Sequence, residues 1–217
     1  MHLLFLYDPM CGWCYGAVAA VGALARDGRF QVEPLPTGLY AGDPSRRIDP
    51  RFADHIQKAD ARIERLSGQP FSEAYRRNVL GDAGLPFDSG AATEALTAVA
   101  RFDAGAELEA LYAVQRERFV HGHDITNREV LAQALAGSVG GAPEDWHERL
   151  DDPELEGAAE TRVLRARALM EAVGARGVPA LVWLLPEGGL RALPSEMMFD
   201  TQPLAERLEP LLGSTLS

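Results

Sequence analysis

Cys11 and Cys14 are the residues of this sequence best suited to chemistry, and they are its only cysteines. A thiolate attacks a disulfide, and a second thiol one helical turn along lies on the same face and can close a small disulfide ring with the first. If Cys11 stands at the first turn of a helix, free backbone N–H groups and the helix dipole favour its thiolate form. The spacing therefore predicts a redox-active pair.

Two other interpretations of the cysteine pair stay open at this point. A structural zinc site needs four ligands, usually two such pairs or one pair with histidines at set spacing, and this sequence has a single pair. We therefore expect no metal site. The remaining alternative is a pair of inert buried thiols.

The cysteine pair follows a predicted strand and begins a predicted helix. Residues 2–7 are an apolar run typical of a short buried strand, which ends at Pro9 because proline cannot donate to a β-ladder. The helix begins near Gly12, and we expect Gly28 to be its left-handed cap. Residues 30–35 form a second strand. A β-α-β crossover of this kind predicts parallel pairing of the two strands.

The middle of the chain, residues 51–150, has the pattern of consecutive helices and no convincing strand. Its first apolar residues recur with the period of an amphipathic helix; they are Phe52, Ile56, Ala59, Ile63 and Leu66. Further on, Thr126 and Glu129 form a capping-box pattern that opens another helix. We therefore expect residues 41–150 to be an inserted, all-helical domain.

The end of the chain returns to an α/β pattern. Its predicted elements are a helix over 154–173, the turn Gly177-Val178-Pro179, a strongly apolar strand over 180–185, a returning strand over Leu190–Leu193 and a final helix over 203–212. The order of elements is thus β-α-β, a helical insertion and α-β-β-α. This order predicts an α/β fold in which residues 1–40 and 151–217 form one domain around the insertion.

Composition limits the partners and the location of the protein. The chain has 217 residues and a net charge of −11, which argues against nucleic acid and against anionic membrane surfaces as partners. No apolar stretch approaches the ~20 residues of a spanning helix. The start, Met1-His2-Leu3, lacks the basic region of a signal peptide. We therefore expect a cytoplasmic protein that does not bind membranes.

The order of elements resembles the thioredoxin fold, and a helical insertion after the second strand resembles its DsbA branch. The run from Asp8 to Gly16 is similar to the motif of cytoplasmic DsbA-like proteins, some of which are known as FrnE-like proteins or predicted protein-disulfide isomerases. The segment from Gly177 to Ala180 resembles the cis-proline loop of this family. The resemblance covers nearly the whole chain. It implies a bacterial, cytoplasmic enzyme, a thiol-disulfide oxidoreductase or disulfide isomerase.

The resemblance also implies a mechanism. Cys11 would be the exposed nucleophile and Cys14 the buried resolving thiol. Pro179 would lie against the two sulfurs, with a cis peptide bond between Val178 and Pro179. Catalysis would pass through a mixed disulfide on Cys11.

Substrate contacts follow from the same resemblance. Val178 would offer its backbone to an extended protein or peptide substrate, as in strand addition. Trp13 and Met10, next to the cysteines, would also contact the substrate. No bound cofactor is implied, and glutathione or a dithiol would act as co-substrate.

Two positions depart from the family pattern. Many thioredoxin-like proteins carry a buried acid on the strand before the first cysteine, at the position where this chain has Phe5. The group that takes the proton from Cys14 would then be Asp8 or water. Strongly oxidising DsbA proteins have histidine directly before the second cysteine, and this chain has Trp13. Because tryptophan brings no positive charge to the thiolate, we expect a less oxidising protein than periplasmic DsbA.

Two alternative functions stand beside a protein thiol-disulfide oxidoreductase. Relatives with the DsbA-like fold include glutathione-dependent isomerases of small molecules, but those generally need no second cysteine, and Cys14 is present here. A non-catalytic redox-sensing module would use the same disulfide to change its shape. Oxidase, reductase and isomerase share these residues, so the sequence leaves the direction of electron flow and the oligomeric state open.

Overall fold

The computed structural model describes residues 1–200 and 202–213. Residue 201 and the last residues of the predicted C-terminal domain, 214–217, lie outside the described residues. Within the described ranges the elements follow the predicted order of β-α-β, a series of helices and α-β-β-α. The predicted fold class, α/β with a large helical insertion, is therefore confirmed. The boundaries of the two predicted domains stay a prediction.

Four strands form one mixed sheet. They are β1 (His2–Tyr7), β2 (Gln31–Pro36), β3 (Ala180–Leu184) and β4 (Leu190–Leu193). Their order in the sheet is β2-β1-β3-β4. β1 and β2 run parallel, as the crossover predicts, and β3 is antiparallel to both β1 and β4. β1 is therefore an inner strand, and Leu6 lies between Leu35 on one side and Ala180 on the other.

Helices connect the strands and form the inserted segment. Helix α1 (Gly12–Ala25) joins β1 to β2, and α8 (Leu155–Ala172) and α9 (Leu204–Gly213) lie near the end of the chain. The inserted helices are α2 (Pro50–Ser67), α3 (Glu73–Tyr75), α4 (Gly90–Phe102), α5 (Glu107–Arg116), α6 (Arg128–Val139) and α7 (Pro143–Leu150). Helices α3 and α5 continue as single π-helical turns, Arg76–Leu80 and Glu117–His121. Among the described helices, none is long and apolar enough to cross a membrane.

Two predicted helix ends are wrong. Helix α1 ends at Ala25 with Arg26 in a right-handed conformation, and Gly28 does not have the positive φ of a left-handed cap. Helix α6 is capped by Asn127, whose side chain accepts from the N–H of Glu129 at 2.9 Å. The Thr126 hydroxyl is bound instead to the carboxylate two positions before it. In both cases the helix end lies within two residues of the predicted position, a difference that a residue pattern alone does not resolve.

The side chains of β1 from Leu3 to Tyr7 are all buried. On one face of the sheet, Leu3, Phe5 and Tyr7 pack with side chains of α1 and of the inserted helices in a single hydrophobic core. On the other face, Leu4 and Leu6 pack in a second cluster against α8. Since helices cover both faces, the strand is a continuous apolar run without polar alternation.

Helix α1 packs closely against α2 because two of its contact positions are glycines. A Cβ atom at Gly16 would lie 2.5 Å from Cγ2 of Ile63 and 3.1 Å from Cε1 of Phe199. A Cβ atom at Gly12 would lie 2.9 Å from Oδ1 of Asp60. Gly12 and Gly16 are one turn apart and share one face of α1. The inserted segment therefore reaches the start of α1, where the cysteines lie.

We expect Gly16→Ala to lower the free energy of unfolding by about 1–3 kcal/mol, because the added methyl group overpacks the contact with Ile63. Gly22→Ala is the matched control on the same helix, since the nearest heavy atom to a Cβ there is the end of the Arg26 side chain, at 3.6 Å. This control should be neutral or stabilising by about 0.5–1 kcal/mol, because alanine favours a helix over glycine. Urea unfolding measures both. Equal free energies of unfolding for the two variants would contradict the close packing.

Candidate active site

The two cysteines lie at the junction of β1 and α1. Residues 8–10 form a turn after the strand, and the N–H of Cys11 donates to the carbonyl oxygen of Asp8 at 3.1 Å. Cys11 is the N-cap residue of α1, and Cys14 lies in the first turn of the helix. Both are free thiols, and no group of three or more metal-ligating side chains among the described residues could hold an ion. Cys11 therefore stands at the positive end of the helix dipole.

Both thiols are buried, as expected for Cys14 but not for Cys11. Cys14 is fully buried and Cys11 is only 6% exposed, so the expectation of an exposed nucleophile is wrong. The reason is that the inserted helices cover this end of α1. Burial raises the pKa of the Cys14 thiol well above its ordinary value, and the neighbouring Cys11 raises it further. Cys14 therefore keeps its proton until a partner removes it, and Cys11 is the one of the two that a substrate can reach.

The proline loop lies directly against Cys11. The peptide bond between Val178 and Pro179 is cis, the isomer that the family resemblance implies. The Cys11 thiol donates to the carbonyl oxygen of Val178, with 3.7 Å between sulfur and oxygen. Pro179 is buried at the start of β3. The structure thus brings Cys11 against Val178, which lies 167 positions further along the chain and directly precedes Pro179.

Trp13 lies on an open groove beside this loop. The groove has a volume of ≈ 840 Å³, and its lining includes Val178 and Pro179. The Trp13 ring packs edge-to-face on Phe199, with the ring centroids 5.3 Å apart. The Arg62 guanidinium lies 5.6 Å from the centre of the same ring. A ligand in the groove could therefore contact two of the predicted substrate residues, Trp13 and Val178.

Met10 lies on a different side of Cys11. It is buried, and it lines a smaller cavity of ≈ 140 Å³ together with Cys11, Asp60 and Arg118. Met10 is not part of the groove lining, whereas Trp13 lines both the groove and this smaller cavity. A substrate contact of Met10 therefore stays a prediction, and it would be made in the smaller cavity. We call this smaller space the Arg118 cavity.

Asp8 is completely buried and holds the turn between β1 and α1. Its carboxylate accepts from the N–H groups of Met10 at 2.9 Å and Tyr40 at 3.1 Å, and from the Ser89 hydroxyl at 2.8 Å. Burial raises the pKa of Asp8, and these hydrogen bonds act in the opposite direction. The backbone N–H of Asp8 donates to Sγ of Cys14 at 3.5 Å. The candidate proton-handling residue thus lies beside the resolving thiol.

A buried acid does face β1, although Phe5 occupies the strand position where one was expected. Glu107 of α5 is 2% exposed, and it accepts from the Tyr7 hydroxyl at 2.8 Å. Arg162 of α8 donates to both of its carboxylate oxygens, at 2.6 and 2.7 Å. Burial raises the pKa of Glu107 to about 7, against the opposing effect of Arg162. The sequence analysis missed this network, because nothing in the local pattern relates residues 55 positions apart.

Asp60 is a second buried acid that the sequence analysis missed. It is 4% exposed, its Oδ2 has no hydrogen-bond partner among the described residues, and burial raises its pKa to about 7. One sequence signal was available. Asp60 lies one turn from both Ile56 and Ile63, and so it falls on the apolar face of the helix.

We expect Asp60→Asn to be more stable than the parent at about pH 8, by about 1–4 kcal/mol, and equally stable near pH 4. The pKa of Asp60 rises from 3.8 to about 7 on folding, so the folded state holds this proton more tightly. The resulting stability is fully present below the unfolded pKa and is lost as the pH rises through about 7. Denaturant unfolding across this pH range is the measurement.

The exposed carboxylate Asp54, on the same helix, provides the control. Asp54→Asn should follow the parent's pH dependence of stability, because that side chain is solvated and pairs only with Lys58 at the surface. If Asp60→Asn also followed the parent, ionisation of Asp60 would carry no folding penalty.

Comparison with known proteins identifies structural relatives. Neither a scan of protein-family models nor a search of curated proteins finds a match. Among solved structures, the whole chain is similar to the cytosolic disulfide reductase DsbM from Pseudomonas aeruginosa, at 28% identity and a TM-score of 0.84 over 98% of that chain. The structure of DsbM with GSH, which is glutathione, matches at 27% identity and a TM-score of 0.80, over 100% of this chain and 99% of that one.

More distant structures share the fold. A protein from Nitrosomonas europaea, provisionally assigned as a protein disulfide isomerase, has 22% identity and a TM-score of 0.75, over 99% of this chain and 97% of its own. A 2-hydroxychromene-2-carboxylate isomerase has 14% identity and a TM-score of 0.61, over 99% and 95% of the two chains. The matches cover nearly all of this chain, both the sheet and the inserted helices. The chain therefore has a DsbA-like thioredoxin fold.

Proposed function

We propose that this protein is a thiol-disulfide oxidoreductase in which Cys11 is the nucleophile and Cys14 the resolving thiol. One observation carries the proposal. Cys11 caps the N-terminus of α1, its thiol meets the carbonyl of Val178, and Cys14 lies fully buried one turn behind it. A thiol at a helix start that lines a cavity, with a second thiol buried behind it, suits thiol-disulfide exchange.

The reaction follows from the different surroundings of the two thiols. The Cys11 thiolate attacks one sulfur of a substrate disulfide, and the other substrate sulfur leaves as a thiolate that takes a proton. Cys14 then loses its proton and attacks the Cys11 sulfur. The second substrate thiol leaves, and a Cys11–Cys14 disulfide remains. The substrate gains two electrons and the protein loses two; the reverse sequence oxidises a substrate dithiol.

The groove beside Cys11 supports a protein or peptide substrate. It is ≈ 840 Å³ in volume, and Trp13 and Val178 form part of its lining. The backbone of Val178 would pair with an extended chain, which is a form of strand addition. Trp13 would cover the substrate side chain next to the reacting cysteine.

Glutathione is the proposed electron donor, and the cytoplasm the proposed location. The DsbM relative is a cytosolic disulfide reductase whose structure was also determined with GSH. In a reducing compartment a Cys11–Cys14 disulfide would be returned to two thiols after each turnover. The proposed bacterial enzyme needs no bound cofactor, because its electrons pass through the two cysteines. Neither nucleic acid nor a membrane is a partner in this proposal.

Proton transfer from Cys14 is assigned to Asp8. Its backbone contacts the Cys14 sulfur, and burial raises the pKa of both groups. A carboxylate with a raised pKa is a better proton acceptor than an ordinary one, which suits it to remove a proton when Cys14 attacks.

We expect Cys14→Ser to accumulate a mixed disulfide on Cys11, because the resolving thiol is gone, and we expect Cys11→Ser to lose activity completely. Insulin reduction with a dithiol donor measures activity, and mass spectrometry after acid quenching measures the trapped adduct. Activity of Cys11→Ser equal to that of the parent would end the proposal. Full glutathione-saturable activity of Cys14→Ser would favour a glutathione-dependent isomerase, and absence of turnover in the parent would favour a redox-sensing module.

We expect Asp8→Asn to slow resolution of the mixed disulfide by about 10- to 100-fold, with little effect on the first attack by Cys11. Rapid-quench kinetics over a range of pH separates the two steps. Ser89→Ala is the matched control, since it removes one hydrogen bond to the same carboxylate and leaves the carboxylate in place. Equal slowing in both variants would assign Asp8 a structural role, and an unchanged resolution step in Asp8→Asn would contradict the assignment.

A further inference from the structure

Arg118 is a buried cation for which the described residues provide no hydrogen-bonded or ion-paired partner. It lies in the π-helical turn after α5 and is 2% exposed. Its Nε has no hydrogen-bond partner, and the structure gives no ion pair to its guanidinium within the described part of the chain. Its close contacts are aromatic faces instead, at 5.6 Å from the ring centre of Phe87 and 5.8 Å from those of Tyr75 and Phe119.

A buried guanidinium lowers stability unless an anion pairs with it. Burial lowers the pKa of Arg118, but arginine keeps its proton in proteins, so the charge is present at neutral pH. Aromatic faces compensate a cation only in part. The carboxylates of Asp124, Asp60 and Asp8 act on Arg118 from longer range. None of them makes the direct contact that a buried guanidinium normally has.

The Arg118 cavity connects this charge to the nucleophile. Cys11 and Arg118 both line it, and its other walls include Met10, Tyr40 and Phe87. Its volume of ≈ 140 Å³ is well below the ~300 Å³ of a pocket for a drug-sized ligand. The cavity therefore fits one small group attached to a sulfur at Cys11. An extended peptide belongs in the larger groove.

We propose that the Arg118 cavity binds the carboxylate of a small acidic disulfide or thiol whose sulfur reacts with Cys11. This inference rests on the proposed thiol-disulfide exchange and names its low-molecular-weight substrate. The guanidinium would pair with the carboxylate, and the aromatic walls would hold the short chain between the carboxylate and the sulfur.

The net charge of the whole protein favours the opposite preference, for a cationic disulfide. With a net charge of −11, long-range steering would favour a cationic disulfide and slow an anionic one. Asp60, on the same cavity, would add to this when it is ionised. A preference for an anionic substrate can therefore arise only from a local positive site.

The test uses three small disulfides with the same core and different ends: dithiodipropionate, which is anionic, hydroxyethyl disulfide, which is neutral, and cystamine, which is cationic. Each reacts once with the fully reduced protein, giving the Cys11–Cys14 disulfide and two small thiols. Acid quenching and mass spectrometry give the second-order rate constants. The rate constants of a small reference thiol with the same compounds correct for their intrinsic reactivity.

We expect the corrected rate constant for dithiodipropionate to exceed that for hydroxyethyl disulfide by at least about tenfold. Arg118→Gln should abolish this preference, so that the corrected rate constants for dithiodipropionate and hydroxyethyl disulfide become equal, and Arg118→Lys should retain part of it. Arg116→Gln is the matched control, because Arg116 is exposed two positions away and lies over Tyr112. It should behave as the parent does.

Each contrary outcome has a distinct meaning. Equal corrected rate constants for the three compounds, or a larger rate constant for cystamine than for the others, would overturn the carboxylate site. Both outcomes are measured on the parent protein alone. An equal decrease for all three compounds in Arg118→Gln would overturn it too, since Arg118 would then act on the thiolate or on folding. Failure of the parent to react with any disulfide would instead contradict the proposed function itself.

Discussion

Strand β1 is buried on both faces, and the position of the candidate active site depends on this burial. Its side chains face α1 and the inserted helices on one side and α8 on the other. Its antiparallel register with β3 sets Leu6 opposite Ala180. The residues just after β1 therefore lie beside those just before β3, and Cys11 meets Val178. The burial of one strand and its register thus account for a contact between distant parts of the chain.

The inserted helices complete the site by covering it. The glycine face of α1 lets α2 approach closely, and this brings Asp60 against the first turn of α1. Helix α5 contributes Glu107, which accepts a hydrogen bond from the Tyr7 hydroxyl, and the turn after α5 contributes Arg118. Burial of a charged side chain lowers the stability of the fold unless the charge is paired with an opposite charge or binds a ligand. Glu107 is paired with Arg162, whereas Asp60 and Arg118 each have a polar atom without a partner among the described residues, and both line a cavity with Cys11.

Much of this arrangement could be predicted from the sequence, because it depends on local patterns. Apolar runs and helical periods gave the elements and the parallel β1–β2 pair, and the Cys-x-x-Cys spacing indicated the chemistry. The burial of Cys11 could not be predicted, since it depends on how the inserted helices pack. The Glu107–Arg162 pair and the Arg118 cavity were missed for the same reason: their members meet only through tertiary packing.

The central claim is that Cys11 and Cys14 form one reversible two-electron couple. Equilibrating the protein in glutathione buffers of graded redox ratio, followed by acid quenching and mass spectrometry, tests it most directly. The account predicts a single transition between dithiol and Cys11–Cys14 disulfide, at a potential below the reference of about −120 mV for DsbA, because Trp13 brings no charge to the thiolate. A glutathione adduct on Cys11 without a Cys11–Cys14 disulfide at any ratio would contradict it.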